Sequence, residues 1–499
     1  MLRRFYILIS YGFMLSISLS ILSCKKGSTS AGGGEVPILP PNPTPTVVFD
    51  INSINDTYGE LAPFANYLKW GTHNVHDPAI IKAGEYYFCY NTDVGYGIDV
   101  RPGIQIRKSK DLVEWTFVGW VFNGIPSQGS SFISQSGGTA FNSLWAPCIV
   151  KVGNEYRLYY SLSSAKPRLS AIGLATAASP EGPWTEKGLA VTSKDDNSIQ
   201  TNAIDPSVLI APNGEHWMMY GSGWDGIYAL KLDPASGLAF IPGDKGKRIA
   251  NRGFTGGKYN GNIEGADLIY NQALNKYYLF IAYDWLQTKY NVRVMKGDSP
   301  SGPFYDFTGA DANTNVDHGP MIIAPYQFAG HSGWQGVAHS TTFSDGNGQY
   351  YIAHQGRSGA DSYYMNLHVR KLFWNAEGWP VASPERYAWE KDSLIGQSDL
   401  AGDWEQIVLG YNIVPGYATE QSSPDFQKSI NLTIASNGTL NGNAANTWTY
   451  AAPWLTLKWA NGFTDKVFVQ LGRDWENKKT TIIFTGLNNS GTAIWGKKK

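Results

Sequence analysis

Cysteine and net charge are both scarce in this chain of 499 residues. Three cysteines are too few for the disulfide framework that holds many small secreted folds together. Charged residues make up 16% of the chain, and 40 Lys and Arg stand against 41 Asp and Glu, so there is no basic surplus for DNA or RNA. We therefore expect no nucleic-acid partner. The 42% share of apolar residues also excludes disorder over most of the length.

Several catalytic motifs are missing as well. The sequence has no serine nucleophile elbow, no phosphate-binding P-loop, no glycine-rich dinucleotide fingerprint and no zinc-ligand spacing. His73 and His76 lie close together but lack a third partner at the spacing of a metal site. Enzyme classes that depend on these motifs are excluded.

Aromatic residues and glycine are abundant, and they recur in a pattern. A turn followed by an aromatic strand occurs five times, beginning at Ala83, Val152, Asn213, Asn275 and Asn347. About four strands per unit of 60 to 70 residues is typical of a propeller blade. A β-sandwich array or a β-helix does not explain the same order of turn, strand and aromatic plug at this spacing. We predict an all-β chain with a five-bladed β-propeller over residues 62–393.

The repeat stops after that point, and alternating apolar and polar segments separated by Asn/Gly turns follow. They predict a separate small antiparallel β-barrel or sandwich at residues 394–499. Its Trp448, Trp454 and Trp459 are compatible with carbohydrate binding or with core packing, and core packing is the simpler interpretation.

The beginning of the chain has the pattern of a secretion signal. Arg3 and Arg4 precede an apolar run that ends before Cys24, which resembles the bacterial lipoprotein box. We predict a lipoprotein signal peptide at residues 1–23 and, at 24–61, a lipidated Cys24 with a Gly/Ser/Pro-rich tether; a short membrane anchor is the alternative. The prediction is a monomer anchored by lipid to a bacterial cell envelope, with no other membrane contact and the membrane face left open.

Two further cysteines, Cys89 and Cys148, lie in apolar strand-like segments. Each is interpreted as a small buried hydrophobic residue, with a single bridge between them left open.

The residue just before each inner strand falls at nearly the same position in every repeat, and four of the five residues there are acidic or histidine. Aligning the repeats places Asp77, Pro147, Asp205, Glu264 and His339 there. Inner strands surround the central channel of a propeller, so these positions should converge at one channel mouth. Converging carboxyl groups suit glycoside hydrolysis, because one must stay protonated to donate to the leaving oxygen while another is ionised to activate water.

At these residues the chain resembles glycoside hydrolase family 43, and within it the endo-α-1,5-L-arabinanases. The segments HDPAIIK, LWAPCIVK, NAIDPSVL and IEGADLIY carry the resemblance, which covers about residues 70–390. The segment TTIIFTGLNNSGTAIWGK resembles the extra β-domain of the longer arabinanases. The resemblance implies an inverting mechanism in which Asp77 is the general base, Glu264 the general acid, and Asp205 orients Glu264 and tunes its pKa. Inversion requires roughly 6.5–9.5 Å between the carboxyl groups of base and acid.

The resemblance also implies a metal ion. His339 matches a histidine that holds an ion, usually calcium, in the channel; a structural channel histidine is the alternative. Calcium prefers oxygen ligands, so water would have to fill most of its coordination shell. At Cys148 the family usually has Asp, so this chain lacks a carboxylate there.

Four residues are candidates for binding the sugar chain. Trp145 and Trp224 can stack on arabinose or pack between blades, and Ser163 and Asn202 can form hydrogen bonds with sugar hydroxyl groups. The expected activity is cleavage of internal α-1,5-L-arabinofuranosyl linkages of arabinan or arabino-oligosaccharides. The alternatives are an exo-acting α-L-arabinofuranosidase or β-xylosidase of the same family, or a non-catalytic glycan-binding lipoprotein.

Overall fold

The structure is a computed structural model that describes residues 49–499, with gaps at 55, 57–58, 60, 62, 95–99, 256, 315–317, 411–414 and 417. The predicted signal peptide, Cys24 and residues 25–48 of the tether lie outside the described residues. Two short 3-10 helices and two α-helices are present in the part described: Ile51–Ser53, Phe64–Lys69, α1 (Ser127–Gln135) and α2 (Gln397–Leu400). None of the helices described has the length and apolar character needed to cross a membrane.

The five sequence repeats form antiparallel hairpins, because each polar turn separates two strands rich in aromatic and β-branched residues. The first three sheets have four strands each. They are β1 (Ala79–Ala83), β2 (Tyr86–Asn91), β3 (Gln105–Ser109) and β4 (Thr116–Trp120); β5 (Trp145–Val152), β6 (Glu155–Leu162), β7 (Ser170–Ala177) and β8 (Thr185–Ser193); and β9 (Ser207–Ile210), β10 (His216–Tyr220), β11 (Ile227–Leu232) and β12 (Lys247–Ala250).

A short hairpin precedes the fourth sheet, which gains a fifth strand at its edge. These strands are β13 (Phe254–Thr255) and β14 (Lys258–Tyr259), then β15 (Ile263–Asn271), β16 (Lys276–Tyr283), β17 (Asn291–Gly297), β18 (Phe304–Tyr305) and β19 (Met321–Ile323).

The fifth repeat does not form a separate four-stranded sheet. Its strands belong to a seven-stranded sheet that also takes in two short strands before the repeat and one from the C-terminal region. The members are β20 (Tyr326–Gln327), β21 (Trp334–Gln335), β22 (Thr341–Ser344), β23 (Tyr350–Ser358), β24 (Met365–Trp374), β25 (Pro380–Ala382) and β27 (Gln427–Lys428). The propeller arrangement is confirmed. Its blade count is four and not the predicted five, because the fifth repeat is part of the wider seven-stranded sheet. The difference arises because β20 and β27 pair in parallel and widen the last sheet.

The inner strands of all five repeats meet at the centre. Residues 78–80, 147–150, 206–209, 266–269 and 339–342 line one channel of about 190 Å³. Asp267 joins three of these strands inside the channel: Ser207 Oγ donates to it at 2.7 Å, and the backbone N–H and Oγ1 of Thr342 donate at 2.7 and 2.6 Å. The repeats therefore share one axis, as their common phase requires.

Backbone pairing closes the ring between the first and last sheets. Asn74 N–H donates to the Met365 carbonyl at 2.9 Å, and Leu367 N–H donates to the Thr72 carbonyl at 2.8 Å. The chain just before β1 thus lies against β24, and the two sheets are held together without a disulfide.

The C-terminal region forms a closed eight-stranded barrel, which resolves the predicted choice between barrel and sandwich. Its strands are β26 (Gly402–Leu409), β28 (Ile430–Ile434), β29 (Thr439–Leu440), β30 (Asn443–Ala451), β31 (Trp454–Lys458), β32 (Thr464–Asp474), β33 (Lys479–Asn488) and β34 (Ala493–Lys498). Trp448 is buried in the barrel, Trp459 donates to Asp465 at 2.7 Å, and Trp454 packs edge-on against Phe468. These contacts favour packing as the role of all three tryptophans.

A buried ionic cluster connects the barrel to the propeller. Lys497 of β34 is 2% exposed, and its Nζ lies 3.0 Å from Glu385, 3.1 Å from Asp474 and 2.5 Å from Glu476. Glu385 follows β25, so the lysine links the last propeller sheet to the barrel wall. Removing Lys497 would leave the buried carboxyl groups without a counter-charge, at a cost of about 3–5 kcal/mol.

Candidate active site

One backbone conformation recurs at the start of every inner strand. Five residues there have positive φ: Asp77 (48°), Ala146 (36°), Asp205 (59°), Gly265 (56°) and His339 (53°). The left-handed region costs a non-glycine residue about 1–3 kcal/mol, so the surroundings must hold these positions in place. The sequence alignment is therefore wrong by one residue in two repeats. The left-handed residue of the second repeat is Ala146 and not Pro147, and that of the fourth repeat is Gly265 and not Glu264. The two misplaced residues are the direct neighbours of the correct ones, because sequence alignment alone does not locate the left-handed turn.

Hydrogen bonds to the preceding sheet hold four of these positions. In each case the backbone N–H of the left-handed residue donates to a side-chain oxygen of the preceding sheet in the ring. The pairs are Asp77 to Gln355 Oε1 (3.0 Å), Ala146 to Thr92 Oγ1 (2.7 Å), Asp205 to Ser161 Oγ (3.0 Å) and Gly265 to Asp205 Oδ2 (3.2 Å). The same hydrogen bonds that stabilise the strained turns therefore join neighbouring sheets around the channel.

Asp77 is the most strongly paired acid of the site. It is 6% exposed; its Oδ1 lies 3.0 Å from His339 Nδ1, and its Oδ2 lies 2.6 Å from both His76 Nδ1 and Thr92 Oγ1. Burial raises the pKa of Asp77, but the imidazoles of His339 and His76 outweigh burial and hold this pKa well below its usual range. Asp77 is therefore ionised at neutral pH.

Asp205 has the opposite electrostatic character. Burial, opposed by His339 and reinforced by the negative charges of Glu264 and Asp77, raises the pKa of Asp205 to about 8. The Asp205 carboxyl group therefore retains its proton at neutral pH.

Glu264 lies close to Asp205 and is only partly buried. Ser222 Oγ donates to its Oε2 at 2.7 Å, and Tyr290 Oη donates to its Oε1 at 2.8 Å. Burial, together with the negative charges of Glu264, Asp77 and Asp205, raises the pKa of Tyr290 well above its usual value, so the phenol remains a donor. The structure thus brings together the ionised Asp77, the protonated Asp205 and a third carboxyl group, Glu264, that accepts two hydrogen bonds. Acid–base hydrolysis requires one protonated and one ionised group of this kind.

The aromatic candidates take two different environments. Trp145, at the start of β5, stacks on Phe141 with ring centroids 5.4 Å apart, and its Nε1 donates to Ser143 at 2.6 Å. Trp224 is 37% exposed, and the Arg168 guanidinium lies 5.4 Å from the centre of its ring. Trp224 therefore presents an aromatic surface to solvent, while Trp145 is held by neighbouring side chains.

The two polar candidates also differ. Ser163 is buried, and its Oγ lies 2.7 Å from Ser170 Oγ, so its hydroxyl has a partner within the protein. Asn202 forms an isolated β-bridge with Ser222, the residue that donates to Glu264. Among the described residues nothing donates to the buried Asn202 Oδ1. Within the part of the chain described, this oxygen is therefore unpaired and buried next to the residue that donates to Glu264.

The residues around the acids include several that the sequence did not indicate. Two could have been found: His76 directly precedes Asp77, and Thr92 directly follows β2. Gln355 and Tyr290 give no local signal, because each reaches its acid partner from a distant part of the chain.

His339 fits a metal only as a single protein ligand. Burial lowers its pKa, but Asp77 and Asp205 outweigh burial and raise it to about 10. At neutral pH this imidazole therefore carries a proton on each nitrogen, and Nε2 could bind a metal ion only after losing its proton. The carboxylate of Asp77 on Nδ1 is the kind of partner that orients many metal-binding histidines. Over the described ranges, one group of three acidic, His or Cys residues is compact enough for a metal, Glu385, Asp474 and Glu476. The ammonium of Lys497 occupies that group.

The two described cysteines are free and buried. Cys148 Sγ accepts the Val208 N–H at 3.2 Å, between the second and third sheets. Burial raises the pKa of Cys89 and of Cys148 to about 12. The bridge left open by the sequence is not formed, and the structure places each as the small buried residue expected.

Comparison with known proteins identifies the family. The profile of glycosyl hydrolases family 43 matches residues 71–380, and that of a C-terminal lipocalin-like domain matches residues 384–496. The chain belongs to glycosyl hydrolase family 43. An extracellular endo-α-(1→5)-L-arabinanase of Thermotoga petrophila is 28% identical over 468 residues, covering 86% of this chain and 94% of the relative.

Solved structures of the family give the same result for the fold. The crystal structure of an endo-1,5-α-L-arabinanase from Thermotoga petrophila has a TM-score of 0.73 at 27% identity, covering 86% of this chain and 99% of the other. The structure of a Cellvibrio cellulosa α-L-arabinanase complexed with arabinohexaose has a TM-score of 0.53 at 26% identity, covering 62% of this family 43 chain and 95% of the other.

Thr92 tests the hydrogen bonds between sheets. Thr92→Val keeps the shape of the side chain but removes one of the donors to the Asp77 carboxylate and leaves the buried Ala146 N–H without its acceptor, so we expect the free energy of unfolding to fall by about 1–3 kcal/mol. Urea denaturation measures the change. Thr92→Ser keeps the hydroxyl and is expected to lose less than half as much. Equal losses in both variants would show that the hydroxyl does not hold the turn.

Proposed function

We propose that this family 43 chain is an inverting endo-α-1,5-L-arabinanase that cleaves internal linkages of arabinan. The observation that carries the proposal is an ionised Asp77 and a protonated Asp205 at one end of the propeller channel, with the Glu264 carboxyl group held beside them by Ser222 and Tyr290. The similarity to an endo-arabinanase over both the propeller and the barrel supports the substrate and the mode of cleavage.

The proposed chemistry is a single displacement. Asp77 accepts a proton from water as the water oxygen forms a bond to the anomeric carbon. The glycosidic C–O bond breaks, and Glu264 donates a proton to the departing sugar oxygen. Asp205 accepts the Gly265 N–H and so orients Glu264 through the backbone of its neighbour. We expect roughly 6.5–9.5 Å between the Asp77 and Glu264 carboxyl groups, which leaves room for the water.

The proposed substrate contacts lie near the acids. Trp224 offers an exposed ring for stacking on arabinose, and Asn202 offers an acceptor for a sugar hydroxyl. Trp145 is assigned to the wall of the cleft and Ser163 to a supporting position behind it, because the hydroxyl of Ser163 is bonded to Ser170.

Calcium is proposed as the metal, held by His339 Nε2 and otherwise by water. A divalent cation there supplies positive charge near the acids. The chain's own contribution is orientation: Asp77 holds the imidazole ring through Nδ1.

Location at the bacterial cell envelope is part of the proposal. The matched Thermotoga petrophila relative is named as extracellular, which fits a chain exported by the segment 1–23 and retained by a lipid on Cys24. We propose a monomer whose membrane contact is that lipid.

Digestion of linear α-1,5-arabinan tests the activity. We expect a mixture of arabino-oligosaccharides early in the reaction, because an open cleft cuts the chain at internal linkages. Chromatography of the products with time measures this. A single sugar from the outset would establish the exo-acting alternative, and the absence of any new reducing ends would establish the glycan-binding alternative.

Asp77→Asn and Glu264→Gln test the proposed base and acid. Both substitutions keep the size of the side chain and remove its acid–base function, so turnover of arabinan should fall about 10²–10⁴-fold. A reducing-sugar assay measures turnover, and circular dichroism checks the fold. Asp298→Asn, at an exposed carboxylate paired with Lys276, is the matched control and should keep full activity. Substantial activity in either site variant would refute its assignment.

Metal removal tests the role of His339. After treatment with a chelator, we expect lower activity and a lower melting temperature, both restored by calcium but not by magnesium. His339→Ala should remove the response to calcium. A chelated protein that keeps its activity and melting temperature would instead make His339 a structural partner of Asp77.

A further inference from the structure

A segment of the C-terminal region leaves the barrel between β26 and β27 and reaches the fourth propeller sheet. Its central residue, Gln421, is 1% exposed. Gln421 Oε1 accepts hydrogen bonds from Asn262 Nδ2 at 3.1 Å and from the Trp285 backbone N–H, while its Nε2 donates to Asp284 Oδ1 at 3.1 Å. One side chain from the C-terminal region thus holds three propeller residues.

These contacts fall on the turn at residues 284–290, which joins β16 to β17. The N–H groups of Thr288 and Tyr290 both donate to the Trp285 carbonyl at 3.1 Å, so the turn is compact. Thr288 Oγ1 also donates to the backbone carbonyl of Gln421. Lys289 forms an ion pair with Asp425 of the same C-terminal segment.

The far end of this turn touches the proposed acid. Tyr290 is 1% exposed, and its Oη donates to Glu264 Oε1 at 2.8 Å. Asn262, the other partner of Gln421, stands two residues before Glu264 on the same stretch of chain. Gln421 therefore connects both the strand that carries Glu264 and the turn that carries its hydrogen-bond donor.

We infer that Gln421 is a positioning residue for the acid step: it fixes the turn at 284–290 so that Tyr290 orients the Glu264 carboxyl group toward the leaving oxygen. The inference rests on the proposed function, because it takes Glu264 as the acid. It gives the C-terminal region a part in the reaction, through a residue that touches neither substrate nor acid.

The leaving group separates this role from a purely structural one. A sugar alkoxide needs a proton to depart, so cleavage of arabinan depends on a well-placed acid. A p-nitrophenolate departs without one, so its release depends on the base and on substrate binding but little on the acid. A positioning defect should therefore appear with arabinan and disappear with the nitrophenyl substrate.

The experiment measures kcat and KM of the full chain on linear α-1,5-arabinan and on p-nitrophenyl α-1,5-arabinotrioside. For Gln421→Ala we expect kcat on arabinan to fall at least about tenfold, with less than about a threefold change on the nitrophenyl substrate and in KM. Tyr290→Phe should give the same pattern. The double variant should be no worse than Tyr290→Phe alone, because both changes remove one orienting contact.

Two further variants complete the test. Gln421→Met keeps the size of the side chain and loses its hydrogen bonds without adding a charge beside the buried Asp284, so an equally selective loss is expected even if Gln421→Ala does not fold. Glu420→Gln removes an exposed ion pair with Lys258 in the same segment and should leave both activities unchanged.

Equal losses on both substrates, or no loss on arabinan in the folded variants, would overturn the role of Gln421. Failure of the unsubstituted chain to cleave arabinan would instead overturn the proposed function, so the two outcomes are distinct.

Discussion

The buried pair of Asp77 and His339 is the interaction on which both the ring and the site depend. Asp77 precedes the first inner strand and His339 the last, so their contact at 3.0 Å crosses the junction where the propeller closes. Gln355 of the last sheet reinforces the same junction by accepting the Asp77 N–H. A buried charge without its partner costs about 3–5 kcal/mol, so the arrangement that ionises Asp77 also holds the two ends of the ring together.

The barrel is coupled to the propeller by charge and hydrogen bonds at several places, two of which are fully buried. Lys497 sits among three carboxylates on one side, and Gln421 is bonded to the fourth sheet on another. Burial of these polar groups is tolerated because each is paired. The C-terminal region is therefore part of the same folded unit as the propeller. Gln421 bonds to Trp285, and the Trp285 carbonyl accepts the N–H of Tyr290, the residue that donates to Glu264.

Much of the architecture could be predicted from the sequence, because turn residues and aromatic strands recur at a fixed spacing. The hairpins at Ala83, Val152 and Asn275 occur where expected, and Asp77 and Asp205 precede inner strands as predicted, whereas Glu264 is one residue out of phase. The wider last sheet could not be predicted, because β27 joins it from the C-terminal region. Tyr290 and Gln355 were missed for the same reason: their contacts join residues far apart in the chain, and neither lies in a recognisable motif.

The closure of the ring also sets an order on how the site is completed. All three carboxyl groups, Asp77, Asp205 and Glu264, leave the ribosome before His339, and Gln355 and β24 follow later still. Without the last sheet, the three acids lack the imidazole that offsets their negative charge in the folded protein. The site is therefore complete only when the final sheet has closed the ring.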